Sequence, residues 1–311
     1  MEPTPARPSS PVDLGRLRRE LIGIAYRLVS RVSDAEDLVQ EALLRFHQAQ
    51  LRGDTIAVPR AYLATIVVRL ALDHLKSAAV SRERYPGPWL PEPFVDEPAP
   101  GQETRAMLDE SVSFGFLLLL ERLSPVERAV LVLRDVFDFE FDEIAPIVGK
   151  TGQNCRQILT RARRHLDGRR RFEASRAKRD GLAAGFFDAC RSGDVNRIRD
   201  LLAADVVFVG DGGGKAMAAA RPVAEPAAVA ALLASLFGQA SRHRLAFREV
   251  PANGQRALLT LDADGRVLNV VTVEVSEDEA VHAVRVVVNP DKLRHLGPVS
   301  DLLARRPTGE R

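Results

Sequence analysis

The sequence predicts a multidomain protein in which two all-α domains are followed by one α+β domain. Residues 14–80 and 105–170 repeat apolar side chains at the three- and four-residue spacing of helices. Short runs of alternating and β-branched residues, typical of strands, begin only after residue 205. A Pro-rich stretch over 81–104 separates the two helical parts. The length of 311 residues also suits two or three domains better than one.

Composition narrows the class of protein. With 46% hydrophobic and 28% charged residues, the chain has the composition of a globular protein in water. It contains no run of about 18 apolar residues that would cross a membrane, and its first residues lack the apolar core of a secretory signal. Cys155 and Cys190, the two cysteines, fit a reducing compartment, and neither has a partner at metal-ligand spacing. We therefore expect a cytoplasmic protein without a metal site or cofactor, whose cysteines are buried.

The first helical domain is expected over residues 14–80, behind a disordered tail at 1–13. Leu17, Leu21 and Leu28 mark the buried stripe of a first helix. The second helix, DAEDLVQEALLRF at 34–46, has acidic residues in its first turn, where they favour the positive end of the helix dipole. A third helix begins at Pro59, because proline is well tolerated in a first turn. A small helical bundle with no further role would show the same pattern.

A second helical domain is expected over residues 105–170, after the Pro-rich linker at 81–104. The linker contains Trp89, the only tryptophan of the chain, and its prolines predict a stiff, extended segment that docks this ring. A helix from about 105 to 122 follows. Ser124, Pro125 and Glu127 then have the order of a capping box with proline at the first helical position, which predicts the start of another helix.

The most informative stretch is FDEIAPIVGKTGQNCRQILTRARRHL at 141–166, which has the pattern of a helix-turn-helix. Gly149 lies at the turn, where a residue that tolerates positive φ is needed. Cys155, Ile158 and Leu159 return at helical spacing as the buried face of the second helix. The opposite face carries amides and guanidiniums, which bind base edges and phosphates in a major groove: Gln153, Asn154, Arg156, Gln157, Thr160, Arg161, Arg163 and Arg164.

Two features of this stretch leave alternatives open. Pro146 lies inside the first of the two helices, which is tolerable only if that helix is short and Pro146 is near its first turn. An αα-hairpin with a solvated basic face would also fit the pattern. Ten Lys or Arg residues lie between Arg156 and Arg179, opposed only by two acidic residues, as in a polyanion-binding segment or a solvated linker helix. We assign residues 171–180 to a basic connector.

The α+β domain is expected over residues 181–297, with a tail at 298–311. A helix at 181–204 precedes strands at 206–210, 244–250, 256–262, 267–276 and 283–288, and a second helix at 226–237 interrupts them. Asn253-Gly254 and Asp264-Gly265 are hairpin turn signals. These elements predict helices packed on one face of a curved antiparallel sheet.

Together these segments resemble a bacterial sigma factor of the extracytoplasmic-function group. Residues 14–78 are similar to sigma region 2, with the 34–46 helix in the place of its polymerase-binding helix, and residues 123–167 are similar to region 4. One subgroup carries a fused SnoaL-like domain, which has a cone-shaped α+β fold, and three short signatures. The chain contains all three in order: WLPEP at 89–93, DGGGK at 211–215 and NPDKL at 289–293.

The resemblance implies partners and site residues in the two helical domains. Core RNA polymerase would be bound through the β′ clamp helices by Asp37, Gln40 and Glu41, with the β flap as a further contact. The −10 promoter element would be read by region 2, through Arg60, Thr65 and Arg69. The −35 element would be read by the second helix of the helix-turn-helix, through Gln153, Asn154, Arg156, Gln157, Arg161 and Arg164.

For the C-terminal domain the resemblance implies regulation in place of a separate anti-sigma protein. Some SnoaL-like relatives are cyclases that use Asp or His in a pocket, for which Asp205, Asp211, His243 and His282 are the candidates here. Asp211, however, sits in a Gly-rich loop, and no second acid–base residue lies at a recognisable spacing, so we expect no catalytic residues. Fifteen signature residues are the candidates for regulatory contacts between domains: Trp89, Leu90, Pro91, Glu92, Pro93, Asp211, Gly212, Gly213, Gly214, Lys215, Asn289, Pro290, Asp291, Lys292 and Leu293.

Two other classes of function remain open from the sequence. The first is a helix-turn-helix transcription regulator that binds DNA without polymerase. The second is a DNA-binding protein whose SnoaL-like domain senses a small-molecule ligand or catalyses a reaction.

Overall fold

The computed structural model describes residues 13–83, 85–95, 113–166, 176–276 and 278–304. Residues 1–12 of the predicted N-terminal tail, residues 96–104 of the linker and residues 171–175 of the basic connector lie outside these ranges, whereas Asp13 belongs to the first helix as its cap. Within them, the chain forms two helical layers followed by a six-stranded sheet with helices. The predicted fold class of two all-α parts and one α+β part is confirmed.

Three helices form the first part of the chain: α1 (Leu14–Val29), α2 (Val32–Leu51) and α3 (Pro59–Glu83). The Asp13 side chain caps α1 by accepting a hydrogen bond from the Arg16 backbone amide. Ser30 ends α1 in the left-handed conformation, and α2 begins two residues later. The predicted apolar stripes pack together, so that Leu21, Val39 and Leu63 are fully buried.

The second helical part contains α4 (Phe114–Leu120), α5 (Pro125–Leu131), a π-helical turn (Val132–Val136), α6 (Phe141–Val148) and α7 (Gly152–Leu166). The capping box of Ser124 and Glu127 is present at the start of α5. Helix α4 begins at Phe114, later than the predicted start near residue 105, and the residues immediately before Ser113 are outside the described ones.

The helix-turn-helix forms as predicted, with one difference. Gly149 ends α6 with φ of +65°, and its amide donates to the Ala145 carbonyl. Pro146, however, is the sixth residue of α6 and not part of its first turn. The helix loses one backbone hydrogen bond there, but it has only eight residues, and a capping box between Glu140 and Glu143 supports its other end.

The two helical parts share one hydrophobic core. Phe139 and Ile144 of the second part are buried in the same cluster as Leu63 and Val67 of α3, and Phe94 of the linker joins them. The sequence predicts two successive helical domains, and its periodicity does not indicate that they share a core. The common core exists because α3 has apolar side chains around most of its circumference and contacts the second part as well as the first.

The third part contains α8 (Arg176–Ser192), α9 (Val195–Asp200), β1 (Leu202–Asp211), β2 (Val223–Ala224) and α10 (Pro226–Gly238), then β3 (Ala246–Ala252), β4 (Gln255–Leu261), β5 (Val267–Val275) and β6 (Val281–Val287). The strand order is β2-β1-β6-β5-β4-β3. Asn253 and Gly254, both at positive φ, make the predicted turn between β3 and β4.

The sheet is mixed, and the prediction of an antiparallel sheet is wrong for one pair. Strands β1 and β6 are parallel, with Asp211 opposite Val287. Turn signals predict only the hairpins between sequential strands, whereas a parallel pair needs a long crossover, here the chain from β2 to β5. Further differences concern boundaries, because α8 already begins in the predicted connector, and residues 298–304 pair with the domain through Val299 and Ala304 instead of forming a separate tail.

Candidate functional site

Helix α7 presents two faces, as its sequence predicts. Its apolar residues, including Cys155 and Ile158, are buried against the rest of the second helical part, whereas the predicted DNA-binding residues are exposed. Gln153, Asn154 and Gln157 lie on this exposed face together with the arginines. The arrangement leaves amide and guanidinium groups available on one side of a supported helix, as a major-groove reader requires.

The arginines of α7 differ in their surroundings. The Arg161 guanidinium binds Glu127 of α5 at 2.6 Å. Burial raises the pKa of this carboxyl, but hydrogen bonds from Ser124 and Arg161 outweigh it and hold the pKa below its usual range. Arg163 makes two hydrogen bonds with Asp135, at 2.6 and 3.0 Å. Arg156 lies 5.0 Å from the centre of the Phe141 ring. Arg161 and Arg163 therefore tie α7 to its own domain, and Arg156 rests on an aromatic face.

The residues predicted for the −10 element contact the second helical part. Arg60 donates to the Phe137 carbonyl at 2.9 Å, lies 3.9 Å from the Phe139 ring centre and pairs with Glu20 at 2.6 Å. Arg69 donates to the Pro146 carbonyl at 2.9 Å. The Thr65 hydroxyl instead bonds within its own helix, to the Ala61 carbonyl. In this arrangement two cationic groups of α3 are used to hold the helical parts together.

Helix α2 has an exposed polar edge where polymerase binding was predicted. Asp37 and Gln40 are exposed, and Glu41 is partly exposed and pairs with Arg45 at 2.7 Å. Leu44, one turn further along, is 50% exposed although it is a large apolar residue. The acidic edge and Leu44 are thus accessible for the polymerase contact that the sequence predicts.

The three five-residue motifs meet at one site, although up to 200 residues separate them. Asp211, the last residue of β1, is completely buried and connects them through its carboxylate. Its Oδ1 accepts hydrogen bonds from the Tyr85 hydroxyl at 2.6 Å and the Gly213 amide at 3.0 Å. Its Oδ2 accepts from the Leu90 amide at 2.8 Å and from Lys292 Nζ at 2.7 Å. We call this arrangement the signature site.

Lys292 completes the signature site from the third motif. Its side chain is 97% buried, and its ammonium group donates also to the Leu90 carbonyl and lies 4.3 Å from the centre of the Trp89 ring. The Trp89 ring is thus docked, as predicted, and the structure shows that its partner is a cation. Because the ion pair with Asp211 is buried and each partner has further hydrogen bonds, its two charges are compensated.

The loop geometry explains the glycines of the second motif. Gly213 has a φ of +56°, and a Cβ there would collide with the Asn289 amide group. Gly214 has a φ of +72°, and a Cβ there would lie 2.6 Å from Pro86. Both positions therefore need glycine for conformation and for space. Lys215 ends the motif on the surface, where it pairs with Asp291 at 2.5 Å.

Glu92 joins the linker to the first helical part. It is 99% buried, its amide donates to the Ser30 carbonyl at 3.0 Å, and its carbonyl accepts from the Tyr26 hydroxyl at 2.6 Å. Its carboxylate lies 2.8 Å from His295 Nδ1 in the third part and 3.7 Å from Arg31 at the start of α2. Glu92 of the linker thus contacts both the first helical part and the third part of the fold.

Several residues of the site could not be recognised in the sequence. Tyr85 donates to Asp211 and accepts from Asn289, and burial together with the Asp211 carboxylate raises its pKa. Asn253 of the β3–β4 turn accepts from the Phe94 amide and donates to the Tyr26 hydroxyl. Burial likewise raises the pKa of Tyr26, so both tyrosines are neutral hydrogen-bond donors. The turn signal at Asn253 was visible, but nothing in it indicated a contact with the linker.

The four residues considered for acid–base catalysis do not form one site, although Asp205 and His282 are in contact with each other. Asp211 belongs to the signature site, and His243 lines a cavity beside α10. His282 is held between Asp205 and Asp278, at 2.7 and 2.8 Å, and the histidine lowers the pKa of Asp278. Among the described residues, no group of three or more His, Cys, Asp or Glu side chains could hold a metal ion, and no helix is long and apolar enough to cross a membrane.

Three protein families match successive parts of the chain. Sigma-70 region 2 matches residues 14–80, Sigma-70 region 4 matches residues 114–166, and the SnoaL-like domain matches residues 183–290. These limits agree with the three parts of the fold. The signature site joins the linker that follows the first match to residues within and immediately after the third match, and the second match includes the helix-turn-helix.

Known proteins of Mycobacterium tuberculosis are similar to the chain. It is 39% identical to the ECF RNA polymerase sigma factor SigJ over 210 residues, which cover 67% of the chain and 66% of that protein. It is 35% identical to the probable ECF RNA polymerase sigma factor SigI over 60% of the chain and 64% of the relative. These alignments span just under two thirds of each relative. The crystal structure of SigJ superimposes with a TM-score of 0.72 and 33% identity, covering 91% of this chain and 97% of that one.

Proposed function

The chain belongs to the extracytoplasmic-function RNA polymerase sigma factors, and from this premise we propose that it directs core RNA polymerase to promoters in the cytoplasm. Helix α2 binds the β′ clamp helices through Asp37, Gln40 and Glu41. Region 2 recognises the −10 element with α3, and region 4 recognises the −35 element with α7. The observation that supports this best is that one chain exposes both the amide and guanidinium face of α7 and the acidic edge of α2.

The residues of α3 give this function a conformational requirement. Arg60 and Arg69 bind carbonyl groups of the second helical part, so in this arrangement both guanidiniums are partly occupied by contacts within the protein. We propose that the helical parts separate when polymerase binds and that promoter DNA then takes the place of the Phe137 and Pro146 carbonyls. The described arrangement is then a closed state of the free protein.

The third part acts as a built-in modulator through the signature site. Asp211 and Lys292 hold Leu90 of the linker, while Glu92 and Tyr26 hold the same linker to region 2. The linker connects the two promoter-reading domains, so fixing it limits how far they can separate. Because the modulator belongs to the same chain, its effective concentration is about millimolar, and weak contacts suffice. A binding role agrees with the burial of Asp211, whose four hydrogen bonds leave no oxygen exposed for catalysis.

Run-off transcription with core polymerase tests the proposal. The full chain should give transcripts from a template with both promoter elements and none when either element is scrambled. Tight binding to duplex DNA without core enzyme, combined with no transcription, would instead identify a helix-turn-helix regulator that acts without polymerase.

The regulatory role of the signature site is tested by comparing two lysine variants. Lys292→Met removes the ammonium group from the signature site, whereas Lys215→Met removes one from the exposed pair with Asp291. We expect the first variant to change promoter-specific transcription severalfold and the second to leave it within error. Equal transcription by both variants and the unaltered chain would exclude the signature site as a regulator.

A further inference from the structure

A polar cavity of about 450 Å³ lies where the start of α2, the linker and the third part of the chain meet, and we call it the junction cavity. Arg31 and Ser33 line it from α2, Glu92 lines it from the linker, and Arg294 and His295 line it from the segment after β6. Its size is in the range of sites for small ligands. The buried ion pair of the signature site does not line it, so the two sites are distinct.

Two nitrogen atoms of the junction cavity are buried without a hydrogen-bond partner among the described residues. One is Arg31 Nε, since the Arg31 guanidinium lies 3.4 Å from Asp34 and 3.7 Å from Glu92, longer than a normal N–H···O hydrogen bond. The other is His295 Nδ1, which is 2.8 Å from Glu92 but is not aligned for a hydrogen bond. Buried polar atoms without a partner are uncommon in proteins and indicate a place where a ligand or ion binds.

Basic groups outnumber acidic groups around the junction cavity. Each of three carboxylates at or beside it has two basic neighbours: Asp291 with Lys215 and Arg294, Glu92 with Arg31 and His295, and Asp34 with Arg31 and His74. Lys215 is held closely by Asp291, at 2.5 Å, and Arg294 meets the same carboxylate at 3.1 Å. The two guanidiniums are therefore the groups best placed to bind an anion.

The lining also indicates what kind of anion fits. Guanidinium groups bind phosphate oxygens through paired hydrogen bonds. Ser33 lies in the first turn of α2, which has no side-chain cap, and the positive end of a helix dipole favours an anion. Every described lining residue is polar or charged, so the remainder of the ligand must be polar too. Carboxylates such as Glu92 and Asp291 accept hydrogen bonds from hydroxyl groups.

We propose that the junction cavity binds a phosphorylated, hydroxyl-bearing small molecule, with its phosphate group between Arg31 and Arg294. Arg31 belongs to region 2 and Arg294 to the third part, so the bound phosphate links these parts and stabilises their docked arrangement. Any consequence for transcription rests on the function proposed above, but binding itself does not.

Isothermal titration calorimetry of the full chain with ribose 5-phosphate measures the binding. We expect one saturable site, weaker binding of inorganic phosphate, which lacks hydroxyl-bearing carbons, and no binding of ribose. Arg31→Gln and Arg294→Gln should each weaken binding of ribose 5-phosphate about tenfold, because charge-assisted hydrogen bonds are lost. Arg199→Gln removes an exposed arginine of the third part that does not line the cavity and should bind like the unaltered chain.

Absence of saturable binding, or equal binding by Arg294→Gln and Arg199→Gln, overturns the site. Arg294 has an exposed side chain, so its replacement should not disturb folding, which circular dichroism checks. Inorganic phosphate that binds as tightly as ribose 5-phosphate overturns the assignment of a hydroxyl-bearing ligand.

The link between region 2 and the third part is measured by hydrogen exchange of residues 85–95, which include the Glu92 amide bound to the Ser30 carbonyl. Saturating ribose 5-phosphate should slow this exchange severalfold in the unaltered chain and in Arg199→Gln. Binding with unchanged exchange overturns the stabilising role of the ligand. Neither assay contains DNA or polymerase, so failure of the proposed transcription function would leave both results interpretable.

Discussion

Asp211 illustrates how much of the interdomain contact depends on one side chain. Its two oxygens accept hydrogen bonds from Tyr85, Gly213, Leu90 and Lys292, which come from the linker, its own loop and the third motif. Removal of one partner from a buried ion pair costs about 3–5 kcal/mol, because the other charge remains without compensation. An exposed pair contributes at most about 1 kcal/mol.

We therefore expect Asp211→Ala to lower the free energy of unfolding by about 3–5 kcal/mol, since the Lys292 ammonium group stays buried. Lys215→Ala breaks only the exposed pair with Asp291 and should cost less than about 1 kcal/mol. Urea denaturation followed by far-UV circular dichroism measures both. A loss below 1 kcal/mol for Asp211→Ala would show that the linker is not held through this carboxylate.

At the scale of the element, the polar residues of α7 fall into two groups. Some bind other parts of their own domain, and others are exposed and available to bind DNA. Arg161 and Arg163 bind carboxylates of α5 and of the π-helical turn, and Ala162 between them is buried. Gln153, Gln157 and Arg164 are exposed near opposite ends of the same helix. The N-terminal residues of a recognition helix contact base edges, whereas cations further along bind phosphates.

This division predicts different effects of two substitutions on DNA binding by the holoenzyme. Gln157→Ala should weaken binding to the correct −35 sequence by about 1–3 kcal/mol and leave binding to a scrambled element unchanged, since a base contact is lost. Arg164→Ala should weaken binding to both sequences, since a phosphate contact is lost. The slope of the logarithm of the binding constant against the logarithm of the salt concentration should become shallower by about one. Fluorescence anisotropy at several salt concentrations distinguishes them. Equal loss for both sequences in Gln157→Ala would contradict the assignment.

At the scale of the whole molecule, the proposed closed state combines the shared core with polar and cation–π contacts between the helical parts. The Phe137 carbonyl accepts from Arg60, and the Phe137 ring lies 5.1 Å from the Arg27 guanidinium and packs against Gly23. Phe141, four residues later, instead faces arginines of its own part of the chain. The two phenylalanines thus provide a matched pair, one across the interface and one within a domain.

Phe137→Ala should favour the open state, because it removes a partly buried ring that packs at the edge of the core shared by the two helical parts. We expect a larger radius of gyration in small-angle X-ray scattering and tighter binding of single-stranded −10 DNA by the free chain. Phe141→Ala should leave the radius of gyration unchanged. An unchanged radius together with unchanged DNA binding in Phe137→Ala would contradict the closed state.

The sequence was most informative where structure is local. The capping box at Ser124, the turn at Gly149 and the Asn253-Gly254 hairpin each follow from a few neighbouring residues, and each is present. The parallel pairing of β1 with β6 and the shared core around α3 depend on residues far apart in the chain, which periodicity does not report.

The signature residues show the same limit. Their motifs were recognised as three separate segments, and their meeting around Asp211 was not derivable from spacing. Tyr85 and Asn253 carry no signal of their own, because a single tyrosine or a turn asparagine is common in any chain. Only the folded arrangement assigns them to the linker contact.

The parallel pairing of β1 and β6 has a consequence for the order of events during synthesis. Asp211 ends the first of these strands, and Lys292 follows the end of the second, so the acceptor and the cation of the site meet only after both strands have paired. Pairings between distant segments form late in folding, because the intervening loop must first close. During synthesis, the two promoter-reading domains can thus be complete before the signature site exists to hold the linker. The docked tryptophan marks a molecule whose last strand is already in place.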